Sequence, residues 1–573
     1  DEPSMAAKNL DLCERCRARF RELYGADLAG PDDVGEDVAA RWRLADFLGE
    51  YLRAAYQMTR EIKEQVGGDY DLLLTFNSPG LGYGRGYTSR QDILSAGAEA
   101  GRIDFDIYPY FYPRSQKVRM VQCDFGLSMM REFARQLDMP WGFYVELDDR
   151  NWPYQQNPPE ASAECAWTAL AQGADYLNSF IHTGFGTGTD ARPERWEMTG
   201  EALRTIRRIG PLLTRMSRPK APIAMIYPMG QAMVRDGHPP ADYAFECIRA
   251  GFGMIDAVSS EVLAQQESLA DRDCYVLLGC DILEREVAEK LVKASAVGGL
   301  IVLDQVPTTD TEGRPLDLPW SFEGRTAMSL PGLEDLKVRV HDNLLKLDFD
   351  LNQEYRDAIE GDDFERAAAL RRGIADVLLN PLPFTYLADD AAGQMEVGLR
   401  LCTDAAIVIV VNHSPEGNSG TIRLSYVGFV PAWACDLATM QRVAIRAYWN
   451  GCEIPVTLPG RHSIAIALLP ERPVSVDVTV QQAELKPGGT LEYRVRVLDA
   501  EGRPAPGCHL LEIEVTGPDG KSVSRFGGST ATEAGVATRS IPVPVNALVG
   551  EYRITARAPE ADAVARGRFT VGE

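Results

Sequence analysis

Four short apolar runs alternate with helical stretches between residues 71 and 213, and this alternation limits the possible folds more than any other feature. The runs cover residues 71–76, 103–108, 141–145 and 176–181, and each ends in polar or aromatic residues. Helical spacing of apolar residues covers 89–100, 124–136, 159–172 and 201–213, and two further helices are expected upstream, over 10–24 and 41–65. Repeated strand–helix units with buried strands imply a parallel sheet, either open or closed into a barrel. Four units make half of an eight-strand barrel.

The pattern changes twice further along. Residues 221–306 carry strands at 223–227, 275–278 and 300–303 with helices at 242–250 and 285–296, which reads as an open doubly wound α/β domain. No GxGxxG or GxxxxGK[ST] loop is present, so nucleotide binding is disfavoured there. After a helix at 364–378, residues 382–469 switch to a period of two, with strands at 406–411, 420–426 and 463–468. The turn cluster Ser414-Pro415-Glu416-Gly417-Asn418 divides them, and an antiparallel β domain follows. Beyond Pro470-Glu471-Arg472-Pro473, strands at 475–480, 491–498, 510–516 and 552–558 have the rhythm of an Ig-like β-sandwich. It has Cys508 alone rather than a Cys–Trp–Cys pattern, which suits a bacterial adhesion or spacer module. The expected divisions are 1–215, 216–330, 331–470 and 471–573.

Composition excludes some partners. The 573 residues carry a net charge of −24, a field that repels phosphate backbones and argues against nucleic acid. No apolar run reaches eighteen residues, so no membrane span is expected. The eleven cysteines are odd in number and scattered, which does not read as a disulfide scaffold and leaves the redox compartment open. Only Cys13-Glu14-Arg15-Cys16 has metal-ligand spacing, and one such pair cannot close a tetrahedral zinc site. The chain opens Asp1-Glu2-Pro3 without Met or signal peptide, from which removal of an upstream segment is expected.

In a barrel of this kind the reacting groups sit at the carboxyl ends of strands. Those ends carry Asn77 and Ser78; Asp106-Ile107-Tyr108-Pro109-Tyr110; Glu146 with Asp148, Asp149, Asn151 and Trp152 behind it; and His182 with Thr183. Retaining glycoside hydrolysis requires two carboxyl groups about 5–5.5 Å apart, one as nucleophile and one as acid/base. Glu146 directly ends the buried run Trp141-Gly142-Phe143-Tyr144-Val145, either as that nucleophile or as a residue marking where a strand meets solvent. Asp104 and Asp106 line the second strand, Tyr108 and Tyr110 offer stacking surfaces, and Asn151-Trp152 is a sugar floor or ordinary packing. His182 is a hydroxyl binder or a structural histidine, and Asp148-Asp149 a cation site or a solvated loop. Gly80, Gly82, Gly84 and Gly86, like Gly184, Gly186 and Gly188, alternate without a dinucleotide fingerprint and read as loops.

Residues 1–213 resemble the second half of the barrel of family 42 β-galactosidases, in clan A. The resemblance runs through Asp1-Glu2-Pro3, Cys13-Glu14-Arg15-Cys16, Phe20, Tyr24-Gly25, Glu146 ahead of Asn151-Trp152, and Gln172-Gly173-Ala174-Asp175. It implies a multidomain α/β plus β protein: a partial (β/α)₈ TIM barrel, a flavodoxin/amidotransferase-like α/β domain of the trimerisation type, an antiparallel β domain and the Ig-like sandwich. It further implies Glu146 as nucleophile and Glu2 as acid/base. Asp1, Asn77, Asp106, Tyr108, Tyr110, Asn151, Trp152 and His182 would contact an oligosaccharide or glycoside, with no cofactor and a homo-oligomer when complete. Asp1 departs from the family's Asn before the acid, and His182-Thr183 stand where an aromatic residue is usual. The family's zinc site uses additional cysteines, which leaves Cys13 and Cys16 as two ligands of an incomplete site or as core cysteines, and no metal is assigned. With four strands missing, residues 1–573 alone are expected to be inactive and to expose sheet edges. The rival reading is a non-catalytic carbohydrate-binding or surface-assembly protein with a degenerate barrel. The terminal sandwich favours a secreted or periplasmic location.

Overall fold

The computed structural model describes residues 5–6, 13–30, 32–67, 73–77, 89–90, 93–106, 121–147, 157–180, 193–235, 241–378, 384–388, 394–425, 427–449 and 451–572. The chain divides into two compact units. The first comprises Asp1–Arg195, Lys220–Leu382 and Ala388–Gln394, and the second Trp196–Pro219, Pro383–Leu387 and Met395–Glu573.

In the first unit, helices α1 (Glu14–Tyr24) and α2 (Val38–Val66) enclose a small core that includes Phe20, Leu28, Leu44 and Phe47. Helix α1 ends on Gly25, whose φ of +65° is the left-handed conformation that glycine adopts without a Cβ penalty. Helix α2 starts on Asp37, whose carboxylate accepts from the amide of Ala40. Then come β1 (Leu73–Asn77), β2 (Arg102–Asp106), β3 (Trp141–Glu146) and β4 (Tyr176–Phe180), hydrogen-bonded in that order and all parallel. Connecting helices are α3 (Ile93–Gly97), α4 (Val121–Leu137) and α5 (Ala161–Gln172). The helix expected over 89–100 is shorter than its pattern, because Ser89–Arg90 pairs antiparallel with Met5–Ala6 and helix begins only at Ile93. Helix α5 stops at Gly173, with φ of +102°. Asp175 then exchanges two bonds with the backbone of Trp141, its carboxylate accepting from the Trp141 amide at 3.1 Å and its amide donating to the Trp141 carbonyl at 2.9 Å. The Gly-Ala-Asp segment thus sets the register of β4 against β3.

The same unit holds a seven-stranded sheet. Its parallel part comprises β5 (Ile223–Tyr227), β6 (Asp256–Ser259), β7 (Cys274–Leu277) and β8 (Leu300–Leu303), in spatial order β6-β5-β7-β8. That order is the doubly wound one in which the chain reverses direction between β5 and β7. Strands β9 (Met328–Leu330), β10 (Leu333–His341) and β11 (Leu344–Leu347) extend the sheet beyond residue 330: β11 runs parallel to β8, and the other two add antiparallel. The short β6 carries no periodic mark in the sequence, and only pairing with β5 makes it a strand.

Helix α4 joins the two sheets of this unit. Every described side chain from Cys123 to Ala134 is buried, including Arg131 and Glu132. Gly126 lets it approach the parallel sheet closely, since a Cβ there would lie 2.4 Å from the ring of Phe105. Phe125 packs edge-on against Phe245 and Tyr227 on the other side. Arg131 donates to Gln172 Oε1 (2.6 Å), to the Gln172 carbonyl (3.0 Å), to Ser128 Oγ (2.6 Å) and to Asp256. Arg272 donates to Asp256, to Glu132 Oε2 (2.8 Å) and to the carbonyl of Ala221 (2.8 Å). Two buried guanidinium groups and two buried carboxylates therefore pair inside the protein, and the partly exposed Arg135 donates to Glu132 Oε1 as well (2.6 Å).

In the second unit, two four-stranded sheets between Phe384 and Leu469 precede a sandwich of a three-stranded and a five-stranded sheet between Ser475 and Val571. Tyr493, Phe526, Tyr552 and Phe569 sit at the heart of the sandwich core. No described helix is long and apolar enough to cross a membrane.

Two outcomes follow from this unit-one architecture. At the switch point of the doubly wound sheet, where such folds bind phosphate on free amides, the Gly230 amide donates to Glu284 Oε1 (2.9 Å). Ser260 Oγ donates to the same oxygen (2.8 Å), and Met229 donates to Ser260 Oγ (2.9 Å). A carboxylate of the chain itself thus takes the anion's place, so calorimetry with ATP or NAD is expected to show no saturable binding; tight binding would contradict this. Removing one member of the buried ionic cluster leaves uncompensated charge, so Asp256→Ala is expected to lower the stability of this unit by about 3–5 kcal/mol in urea unfolding. A loss below about 1 kcal/mol, the range of exposed pairs, would show that the cluster does not fasten α4.

Candidate active site

Side chains alternate across a strand, and register partners on neighbouring parallel strands share a face. Along β3, Trp141, Phe143 and Val145 therefore face one way and Gly142, Tyr144 and Glu146 the other. Register places Asp104 level with Gly142, Thr75 level with Asp104, Gly142 with Tyr176, and Tyr144 with Asn178. One face is apolar, with Phe105 and Phe143 at a ring separation of 6.2 Å, and it takes helix α4 through the Gly126 contact. The opposite face is polar, holding Thr75, Asp104, Asp106, Tyr144, Glu146, Tyr176 and Asn178. Asn77 stands opposite Asp106 in the ladder, and Phe180 opposite Glu146.

The lower layer of this face is tightly knit. Asn178 Nδ2 donates to Asp104 Oδ2, and the Tyr176 hydroxyl donates to the Ile103 carbonyl at 3.0 Å. Gly142 makes room for them: a Cβ there would lie 2.2 Å from the Tyr176 ring and 2.6 Å from Asp104 Oδ1. Burial pushes the Asp104 carboxyl above the ordinary aspartate range, against the opposing pull of its hydrogen bonds and of Arg102. Burial, and then Asp104, push the Tyr176 phenol upward as well.

Glu146 is the last residue of β3 and is 1% exposed. Its main chain is held from two sides. Ser162 Oγ, in the first turn of α5, donates to the Glu146 carbonyl at 2.6 Å, and Arg195 Nη2 donates to the same oxygen at 3.2 Å. Arg195, in the first turn of α6 (Pro193–Leu213), also donates to Ser162 Oγ from Nε (3.1 Å) and Nη2 (3.0 Å). It is itself fully buried. The strand end that carries Glu146 is thus fixed by the helix after it and by the helix after the next strand. A carboxylate held on such a rigid element can act as a nucleophile, because little reorganisation is needed to aim it.

Of the residues proposed from sequence, Glu146 and Asp106 are buried on this polar face, on adjacent strands, and the backbone of Asn77 continues the row. Asp1, Glu2, Tyr108, Tyr110, Asn151, Trp152 and His182 lie outside the described residues. Tyr144, Tyr176, Asn178, Ser162 and Arg195 were not anticipated. The first three are detectable in retrospect from the period-two polar pattern of β3 and β4. A lone arginine and a serine in two helices carry no such signal. Cys13 stands at the position before α1 without a side-chain cap, its sulfur 3.6 Å from that of Cys16, and Cys16 packs against the α1–α2 core. Among the described residues no group of three metal-ligating side chains includes this pair.

Comparison with known proteins bears on both units. Residues 480–571 match the model of the MG2 domain, an Ig-like module that agrees with the terminal sandwich. No curated protein matches the sequence. The structure is similar to that of a catalytic mutant of Gan42B, a GH42 β-galactosidase from G. stearothermophilus, with TM-score 0.53 and 11% identity over 80% of this chain and 74% of that one. A β-galactosidase from Bacillus circulans sp. alkalophilus gives TM-score 0.54 and 15% identity over 80% and 77%. The α-L-fucosidase isoenzyme 2 from Paenibacillus thiaminolyticus gives 0.54 and 11% over 80% and 75%. At these identities the likeness is one of fold: mixed helices and sheets arranged as in GH42 β-galactosidases, with an MG2 domain at the carboxyl end.

Proposed function

We propose that the chain belongs to a retaining glycoside hydrolase that cleaves β-glycosidic bonds in β-galactosides or related glycans. The observation that carries this reading is Glu146, buried at the end of a parallel strand on the polar face, with its main chain clamped by Ser162 and Arg195. The GH42-like fold supports the same reading, since the structures that share it include glycosidases.

In the proposed mechanism the Glu146 carboxylate attacks the anomeric carbon while Glu2 gives its proton to the leaving glycosidic oxygen. This forms a glycosyl ester and releases the first product. Glu2, now a carboxylate, takes a proton from water, and the hydroxide oxygen displaces Glu146 from the anomeric carbon. Two inversions retain the configuration. Asp1, Asn77, Asp106, Tyr108, Tyr110, Asn151, Trp152 and His182 are assigned to sugar binding by the resemblance. Asp104, Asn178 and Tyr176 act beneath them as positioning residues that hold neighbouring strands in register. The acidic surface does not oppose a neutral substrate. The α/β domain is assigned to self-association, and the protein to a secreted or periplasmic setting.

The test is kinetic, in the full-length polypeptide. Glu146→Gln keeps the shape but cannot form the ester, and a fall in turnover on the order of 10⁴-fold or more is expected. Glu2→Ala should spare aryl glycosides with very good leaving groups, which need little protonation, while abolishing hydrolysis of alkyl glycosides. Near-wild-type turnover by Glu146→Gln would remove the nucleophile assignment. Saturable glycan binding without turnover by the unaltered protein would favour the carbohydrate-binding role instead.

A further inference from the structure

The two β portions of the second unit meet at a pair of cysteines. Cys402 ends the strand Met395–Cys402 and faces Ala405 across a tight turn, and Cys508 lies just before the sandwich strand Leu510–Thr516. Their sulfurs are 2.9 Å apart, separated by 106 residues of sequence. The backbones approach equally closely beside them. Gly507 has φ of +91°, and a Cβ on it would lie 2.6 Å from the Asp404 carbonyl and 3.1 Å from the Ala405 Cβ. Asp404 has a φ of +58°, so both chains bend sharply at this point. Only glycine fits this contact, and it brings Cys508 onto the turn that carries Cys402.

We propose that Cys402 and Cys508 are a disulfide-forming site that covalently joins the MG2 domain to the antiparallel β domain before it. The oxidant is a small-molecule disulfide or an oxidised dithiol protein. Cys402 is the more accessible of the two sulfurs. Its thiolate attacks one sulfur of the oxidant, breaking that S–S bond and expelling one thiolate. Cys508 then loses its proton to water and attacks the Cys402 sulfur of the mixed disulfide, expelling the second thiolate. Two protein thiols are oxidised and one external disulfide is reduced to two thiols.

Cys435 and Cys452, the other cysteines of the second unit, are poorly placed for this chemistry. Burial pushes the Cys452 thiol up to about 12 and raises that of Cys435, so neither supplies thiolate readily. Interaction with Cys508 instead holds the Cys402 thiol below its ordinary value, despite partial burial. A single bond here spans a long loop and restricts the unfolded chain accordingly.

The test is peptide mapping of the intact chain after equilibration with excess oxidised glutathione, alkylation under denaturing conditions, and proteolysis. A peptide joining Cys402 to Cys508 is expected, at about 2 Da below the sum of its reduced parts. The unfolding midpoint of the second unit should fall on the order of 5–10 °C when dithiothreitol is added. Cys402→Ser and Cys508→Ser should each abolish both the joined peptide and the response to dithiothreitol. The mapping of the unaltered chain decides the matter even where a variant does not fold. Recovery of both cysteines alkylated, a stable glutathione adduct on Cys402, or pairing of either with another cysteine would overturn the proposal.

Discussion

The buried ionic cluster around helix α4 is the constraint on which the first unit depends. Arg131, Glu132, Asp256 and Arg272 are each almost wholly removed from water. Withdrawing such charges from solvent costs several kcal/mol per ion, and only close, well-formed pairing offsets it. Here each guanidinium meets both charged and neutral acceptors: Arg131 reaches Gln172 and Ser128 besides Asp256, and Arg272 reaches the Ala221 carbonyl besides Asp256 and Glu132. The cluster is weak as a source of net stability against an apolar alternative, yet strict as a specifier, since a misplaced α4 would strand two cations in a dry interior.

What that strictness positions is the polar face. Helix α4 lies on the apolar side of the parallel sheet through Gly126 and Phe105, and the same helix meets the α/β domain through Phe125 and the ionic cluster. Arg131 also binds the end of α5 through Gln172, immediately before the turn that sets β4 against β3. Ser162 at the other end of α5 holds the carbonyl of Glu146. One helix therefore communicates with the cluster at its carboxyl end and with the proposed nucleophile at its amino end. This is the kind of supporting shell that keeps a reacting carboxylate within a fraction of an ångström of its working position.

Most of the parallel strands were legible because they are short apolar runs between helical patterns; observed strands Ile223–Tyr227 and Leu300–Leu303 coincide with expectation. The place of Glu146 at a strand end was legible because it closes such a run. Other features depend on tertiary pairing that leaves no periodic trace. Asp256–Ser259 is too short and polar to declare itself, and Ser89–Arg90 looks like the start of a helix until Met5–Ala6 pairs with it. Nothing in the sequence sets Arg131, Glu132 and Arg195 apart from solvated charges, because sequence does not show which charges have partners across an interface. Asp104 and Asn178 needed the register between β2, β3 and β4 before they could be placed on one face with Glu146.

As the proposed nucleophile, Glu146 forms a covalent bond to the sugar. The most direct measurement is mass spectrometry of the full-length protein after incubation with an activated 2-deoxy-2-fluoro-β-glycoside, which slows breakdown of the glycosyl ester more than it hinders its release of an excellent leaving group. A mass increase of one fluorosugar, mapped to the peptide containing Glu146 and absent in Glu146→Gln, is the predicted result. A label mapped to any other carboxylate, or hydrolysis of the parent glycoside with no trapped sugar on Glu146, would contradict it.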